Sequence, residues 1–70
     1  MKLVIVVERT ESGYSAFAPD LPGCIATGAT RAEVEAAMQE AIAFHVEGLR
    51  EEGLPVPEPS SYVTSIEVAA

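Results

Sequence analysis

The alternation of apolar and polar residues predicts three short strands in the first 28 residues. Residues 2–8, KLVIVVE, form a continuous β-branched run, which is typical of a strand buried on both faces. Residues 9–13, RTESG, have the composition of a hairpin turn. Residues 14–19 predict a second strand that ends at its proline, and residues 24–28 predict a third after the turn at 20–23.

A helix is predicted between residues 31 and 52. Thr30 and Glu33 have the spacing of a capping box, and Gly53 stands where a left-handed C-cap would end the helix. At 100° per residue, one face of this helix carries a stripe of seven mostly apolar residues. The stripe consists of Val34, Ala37, Met38, Ala41, Ile42, His45 and Leu49.

The last part of the chain predicts a stiff connector and a fourth strand. Residues 54–61, LPVPEPSS, have prolines at alternate positions, which favours an extended segment without regular pairing. Residues 62–68, YVTSIEV, alternate as a strand does, with Tyr62, Ile66 and Val68 on one face. The predicted fold is therefore α+β, a single domain over residues 1–70 with the order β-β-β-α-β and one helix on a four-stranded sheet.

One helix can cover only one face of such a sheet. The first strand nevertheless carries apolar residues on both faces, with Val4 and Val6 opposite Leu3, Ile5 and Val7. An uncovered apolar face on a small domain favours self-association. We therefore expect a homodimer or a higher oligomer, with Val4 and Val6 in its interface.

Charge narrows the classes of partner. The chain has eleven acidic and four basic residues and a net charge of −7, which disfavours direct binding to nucleic acid. An acidic surface suits a basic protein partner, although acidity also promotes solubility. No apolar run has the length of a membrane span, and the N-terminal run is too short for a signal peptide. A cytoplasmic location is the resulting expectation.

Catalytic chemistry has few possible carriers. Cys24 and His45 are the only conceivable nucleophile and base, and no third orienting residue is evident, so both are interpreted as packing residues. Asp20 lies between two prolines and is interpreted as a turn residue. No spacing of metal ligands and no cofactor motif is present, so the chain is not expected to be an enzyme or to bind a metal or cofactor.

Four glutamates of the predicted helix share its other side. Glu33, Glu40, Glu47 and Glu51 lie within about 40° of one another on a helical projection. Such a ridge is either a solvated face or a docking surface for a cationic protein. Composition alone favours the solvated face, since runs of charge usually face solvent.

The ordered motifs resemble the HicB-like antitoxin family. They are YSA at 14–16, PDLPGC at 19–24, TGAT at 27–30 before an Ala/Glu-rich helix, and PVPEP at 55–59. The resemblance covers roughly residues 3–68. It implies a partial ribonuclease H-like fold with strand order 3-2-1-4, and a non-catalytic protein that neutralises a small basic HicA-type mRNA-cleaving toxin.

The resemblance also suggests where a toxin would bind. Candidate contacts are the corner at Asp20 and Leu21 and the helix acids Glu33, Glu40 and Glu47. The chain ends at Ala70 without the DNA-binding segment of many family members, so operator binding is not expected. The alternative hypothesis is an orphan homo-oligomeric binding module of unknown ligand, without a toxin.

Overall fold

Three strands and one helix form in the order predicted. The computed structural model describes residues 1–70. Strand β1 is Val6–Thr10, β2 is Gly13–Phe17, β3 is Ile25–Gly28, and helix α1 is Arg31–Glu51. The α+β class is confirmed. The first strand begins later than the apolar run, because residues 2–5 have no strand partner in this chain.

The sheet is antiparallel with the order β1-β2-β3. Thr10 pairs with Gly13, so the hairpin turn contains only two residues. Gly13 has a φ of 156°, and a Cβ there would lie 2.4 Å from the carbonyl oxygen of Gly28. A glycine at this position therefore allows the hairpin to close against the end of β3.

Both ends of α1 are capped as the sequence predicts. The Thr30 hydroxyl oxygen accepts a hydrogen bond from the Glu33 backbone N–H at 3.1 Å, and the Glu33 carboxylate accepts one from the Ala29 N–H at 3.0 Å. At the other end Gly53 has a φ of 71°. The Leu54 N–H donates to the Leu49 carbonyl at 2.9 Å, which is the long hydrogen bond of a Schellman motif.

The core lies between α1 and the sheet. Its buried residues are Ala16, Ala18, Leu21, Cys24, Val34, Met38 and Val46. The helix packs mainly against β3 and β2 and leaves β1 at one side. Val46 falls outside the predicted apolar stripe, whereas Ile42 and Leu49 of that stripe pack against the core from its margin.

The fourth strand does not form within this chain, so the expectation of a four-stranded sheet is wrong for a single copy. Residues 62–70 have no regular structure and are exposed throughout. The alternation in residues 62–68 defines the two faces of a strand, but a strand also needs a neighbour that pairs with its backbone groups.

The position of β1 is a second correction. The expected order 3-2-1-4 makes β1 an inner strand, but β1 is an edge strand here and its residues are mostly exposed. Val7, which the continuous apolar run suggested was buried, is 39% exposed. Both corrections have the same cause, which is the missing strand beside β1.

Candidate functional site

The acidic ridge lies on the outer face of α1. Glu33, Glu40 and Glu47 are all exposed, as the helical projection predicted, and Glu51 continues the ridge in the last turn. Only Glu33 has an assigned local role, since its carboxylate caps the helix start. The remaining carboxylates are free to meet a partner.

An exposed phenylalanine lies beside this ridge. Phe44 is 81% exposed, which is unusual for a large aromatic side chain on a packed helix. It follows Glu40 by four residues and precedes Glu47 by three, so the three side chains are neighbours on the helix surface. Phe44 therefore borders the acidic ridge, and we call Glu33, Glu40, Phe44, Glu47 and Glu51 the acidic–aromatic face.

Phe44 was not among the residues predicted to contact a partner. Its signal is nevertheless in the sequence, because the 100° step places Phe44 within about 20° of Glu33 and Glu51, just outside the margin of the apolar stripe. An aromatic residue on the polar side of an amphipathic helix is the feature that could have identified it.

Asp20 holds the proline-rich connector. Its two carboxylate oxygens accept four hydrogen bonds: the backbone N–H groups of Ser60 and Ser61 donate at 3.1 Å, and their hydroxyls donate at 2.9 Å. Asp20 does lie in the turn, as predicted, but its carboxylate does not bond the turn's own backbone as expected of such a residue, because its partners lie forty residues away. We call this arrangement the Asp20 clamp.

Leu21 lies in the core. It was expected at an exposed corner, but its side chain is 1% exposed, and its backbone is tied into the turn by hydrogen bonds with Ala18 and Cys24. The tight turn directs Asp20 outward and the next side chain inward. The expectation of an exposed Leu21 is wrong. The turn lies over the core, so the Leu21 side chain can be removed from water there, which is favourable for apolar area.

The helix-free face of the sheet is apolar at one end. Val6 pairs with Phe17, and Phe17 pairs with Ile25, so the three side chains form one row across the strands. Ile25 is 69% exposed and Phe17 is 39% exposed, while Val6 and Val4 are half-buried. The prediction placed Val4 and Val6 on this uncovered face, and the register adds two larger apolar side chains beside them.

The Asp20 clamp predicts a local response to acid. Hydrogen bonds from Ser61 and Ser60 lower the pKa of Asp20 from 3.8 to about 2. The pKa of Asp20 is lower in the folded state than in the unfolded state. The clamp therefore stabilises the folded state fully above the unfolded pKa, and this stabilisation is lost as the pH falls from about 4 through about 2. We expect the amide resonances of Ser60 and Ser61 to shift together in an NMR titration with a midpoint near pH 2.

The matched control for this titration is Asp20→Asn, which removes the titrating carboxylate. That variant should abolish the low-pH step at both serines. A midpoint close to 4 in the unsubstituted chain would contradict the clamp, since it would show a carboxylate without these donors.

Comparison with known proteins identifies the family. The family model described as the HicB_like antitoxin of bacterial toxin-antitoxin systems matches residues 3–69. The chain belongs to the HicB-like antitoxin family. The resemblance in the ordered motifs is thus confirmed over almost the whole chain.

This HicB-like chain is similar to individual proteins of a phage and a bacterium. It is 39% identical over 54 residues to an uncharacterized 14.9 kDa protein of Haemophilus phage HP1, covering 77% of this chain but only 41% of the phage protein. It is 33% identical over 70 residues to a UPF0150 protein of Helicobacter pylori, covering 99% of this chain and 97% of that protein.

A solved structure resembles the HicB-like fold described above. A chain from a HicA3 and HicB3 toxin-antitoxin complex matches with a TM-score of 0.68 and 34% identity. The match covers 83% of this chain and 72% of the other. The three strands and helix are therefore the HicB antitoxin arrangement, and they occur in a protein solved together with a toxin.

The reactive and metal-binding side chains of this HicB-like chain do not come together in a catalytic or metal site. Cys24 is buried, and burial raises the pKa of its thiol, which disfavours the nucleophilic thiolate. His45 is half-buried on α1. No three side chains among His, Cys, Asp and Glu come together as metal ligands, and α1 lacks the apolar length to cross a membrane.

Proposed function

We propose that this HicB-like antitoxin binds a small basic HicA-type toxin and blocks its cleavage of mRNA. The observation that carries the proposal is the acidic–aromatic face of α1, in which Phe44 is 81% exposed among glutamates. Family membership and the matched toxin-antitoxin complex support a role of this kind.

The two components of this face do different work in such a complex. A net charge of −7 attracts a basic ribonuclease over several ångströms and speeds the encounter. Phe44 supplies apolar area at the centre of the contact, where aromatic side chains contribute most of the binding energy. The glutamates would surround it and compete with RNA phosphates for the toxin's cations.

The other predicted contact, Asp20, receives a different role in this proposal. Both of its carboxylate oxygens are already engaged by Ser60 and Ser61. Direct binding to a toxin would require breaking these hydrogen bonds. We therefore assign toxin contact to Glu40, Glu47 and Phe44, and assign Asp20 to holding the connector.

The proposal includes a non-catalytic role and self-association in the cytoplasm. A buried Cys24 with a raised pKa is a poor nucleophile, which supports binding without catalysis. The apolar row at Val6, Phe17 and Ile25, continued by Val4, supports a homodimer or higher oligomer that covers the helix-free face. A partial ribonuclease H-like sheet would be completed by a fourth strand beside β1.

The test uses a small basic HicA-type protein as the toxin, in an active form and in a catalytically inactive form. Calorimetry on the inactive form should give a Kd that rises at least about 30-fold for Phe44→Ala, the loss expected of a central aromatic contact. Glu40→Gln should slow association several-fold at low salt, and this difference should shrink at high salt.

Glu35→Gln is the matched control for Glu40→Gln. Glu35 is an exposed acid on the same helix, but it lies 140° from Glu40 on the projection, so its loss should leave the binding rate nearly unchanged. The active form should lose RNA cleavage at one equivalent of the wild-type chain. Full cleavage in the presence of excess chain would contradict neutralisation and favour the orphan binding module.

A further inference from the structure

We propose that residues 62–68 of one copy form the missing fourth strand in the sheet of a second copy, beside its β1, in a reciprocal exchange. The proposal adds a contact between copies that is distinct from the helix-free face, and it does not depend on toxin binding. It rests on an unpaired apolar segment and an open strand edge that belong to the same chain.

The donor segment is apolar and unpaired. Tyr62, Val63, Ile66 and Val68 are each at least 76% exposed, although their alternation is that of a strand. The Asp20 clamp fixes Ser60 and Ser61, so the segment leaves the domain from a defined point. The radius of gyration of 13.9 Å exceeds the roughly 11 Å expected of a compact 70-residue chain, and the longest dimension is 49 Å.

The acceptor is the free edge of β1. Alternate residues of an edge strand turn their N–H and C=O groups away from the sheet, and here those groups face no other strand. Beside this edge lies a groove of about 610 Å³, with Ile5 and Val7 on the strand side and Met38 and Ile42 on the helix side. The groove lies where α1, which packs mainly on β3 and β2, leaves β1 at one side.

The two features match in pattern and length. The segment has seven residues and β1 has five, so one strand spans the whole edge. If Tyr62, Ile66 and Val68 point toward the groove, Val63 extends the helix-free face next to Val6. Both faces of the sheet would then continue their apolar pattern into the new strand.

A second copy fits these features better than a toxin does. Residues 62–68 carry one charge, Glu67, so they offer little to a strongly basic protein. Burying one such apolar side chain removes on the order of 100 Å² from water. Three side chains from each of two copies, with the surfaces they cover, give about 1,200 Å², the lower end of stable interfaces. Reciprocal exchange also closes a two-fold dimer and covers the β1 edge of both copies.

The first experiment measures dimerisation of full-length variants by sedimentation equilibrium. The wild-type chain should be dimeric at about 100 µM, well above the micromolar Kd that an interface of this area can give. Ile66→Lys should raise the dimer Kd at least about 100-fold, because each dimer loses two buried side chains. Ser65→Lys, the same new residue one position away and on the other face, should raise it less than about fivefold.

The second experiment tests whether the exchange occurs between copies. Val7→Lys blocks the acceptor edge but keeps an intact segment 62–68, whereas Ile66→Lys keeps an intact edge. Each variant alone should be monomeric, with circular dichroism showing that α1 is retained. An equimolar mixture should recover dimers, because one of the two strand additions is restored in the mixed pair.

Three results would overturn the strand exchange. They are a wild-type monomer at about 100 µM, a dimer that Ile66→Lys does not weaken, and a mixture no more dimeric than its components. The second result would leave self-association through the helix-free face standing. A monomer whose segment 62–68 gains protection only with toxin would assign the segment to the toxin.

Discussion

Gly28→Ala should destabilise the protein by about 3 kcal/mol or more, because the added methyl group meets backbone atoms of the neighbouring helix. A Cβ on Gly28 would lie 2.5 Å from the Val34 nitrogen and 2.9 Å from its Cα. These atoms belong to the first turn of α1, which is fixed by the capping box, so the backbone cannot yield locally. The total free energy of unfolding of a domain of this size is roughly 3.5–10 kcal/mol, so this substitution would remove much of the stability.

Thermal unfolding followed by circular dichroism at a fixed protein concentration measures this effect. The melting temperature should fall by more than about 12 °C for a domain of this length. Gly48→Ala is the matched control, since a Cβ at Gly48 meets nothing within 4 Å. That variant should gain about 0.5–1 kcal/mol because alanine favours the helix. Equal stability of Gly28→Ala and the wild type would contradict the close packing of β3 and α1.

Leu21→Ala should cost about 2–5 kcal/mol in the free energy of unfolding. Leu21 is one of the three largest fully buried side chains, with Met38 and Val34. Its backbone is held by hydrogen bonds from the Leu21 N–H to Ala18 and from the Cys24 N–H to Leu21. The turn therefore cannot move inward to fill the cavity that the substitution leaves.

Urea unfolding should compare Leu21→Ala with Leu54→Ala. The two variants lose the same atoms, so a difference in their stability reports the difference in burial. Leu54 is 49% exposed, so the same change there should cost about 1 kcal/mol or less. A loss at Leu21 no larger than that at Leu54 would show that the 20–23 corner is solvated. It would then restore Leu21 as a possible contact residue.

Local interactions explain why so much of the fold was predictable. The Thr30–Glu33 capping box and the Gly53 C-cap act within four residues, so the sequence around them determines both helix ends. The hairpin closed at Thr10 and Gly13 depends on equally local turn chemistry. The glutamates were placed correctly on one exposed face because helical geometry is regular.

Features that depend on distant segments were predicted less well. The turn at 20–23 was predicted, but only packing showed that Leu21 points into the core while Asp20 binds serines forty residues away. The exposure of Phe44 likewise depends on which helix face meets the sheet. A helical projection shows which residues share a face, but burial depends on the neighbouring elements.

By itself, the sequence determined the order of the three paired strands and the helix, the helix caps, the acidic ridge and the family, because local backbone preferences and ordered motifs suffice for these. Tertiary structure alone decided the Asp20 clamp, the burial of Leu21, the open groove beside β1 and the unpaired state of residues 62–68. Alternating apolar residues favour a strand, but the strand edge that is available for pairing determines where its backbone hydrogen bonds are made.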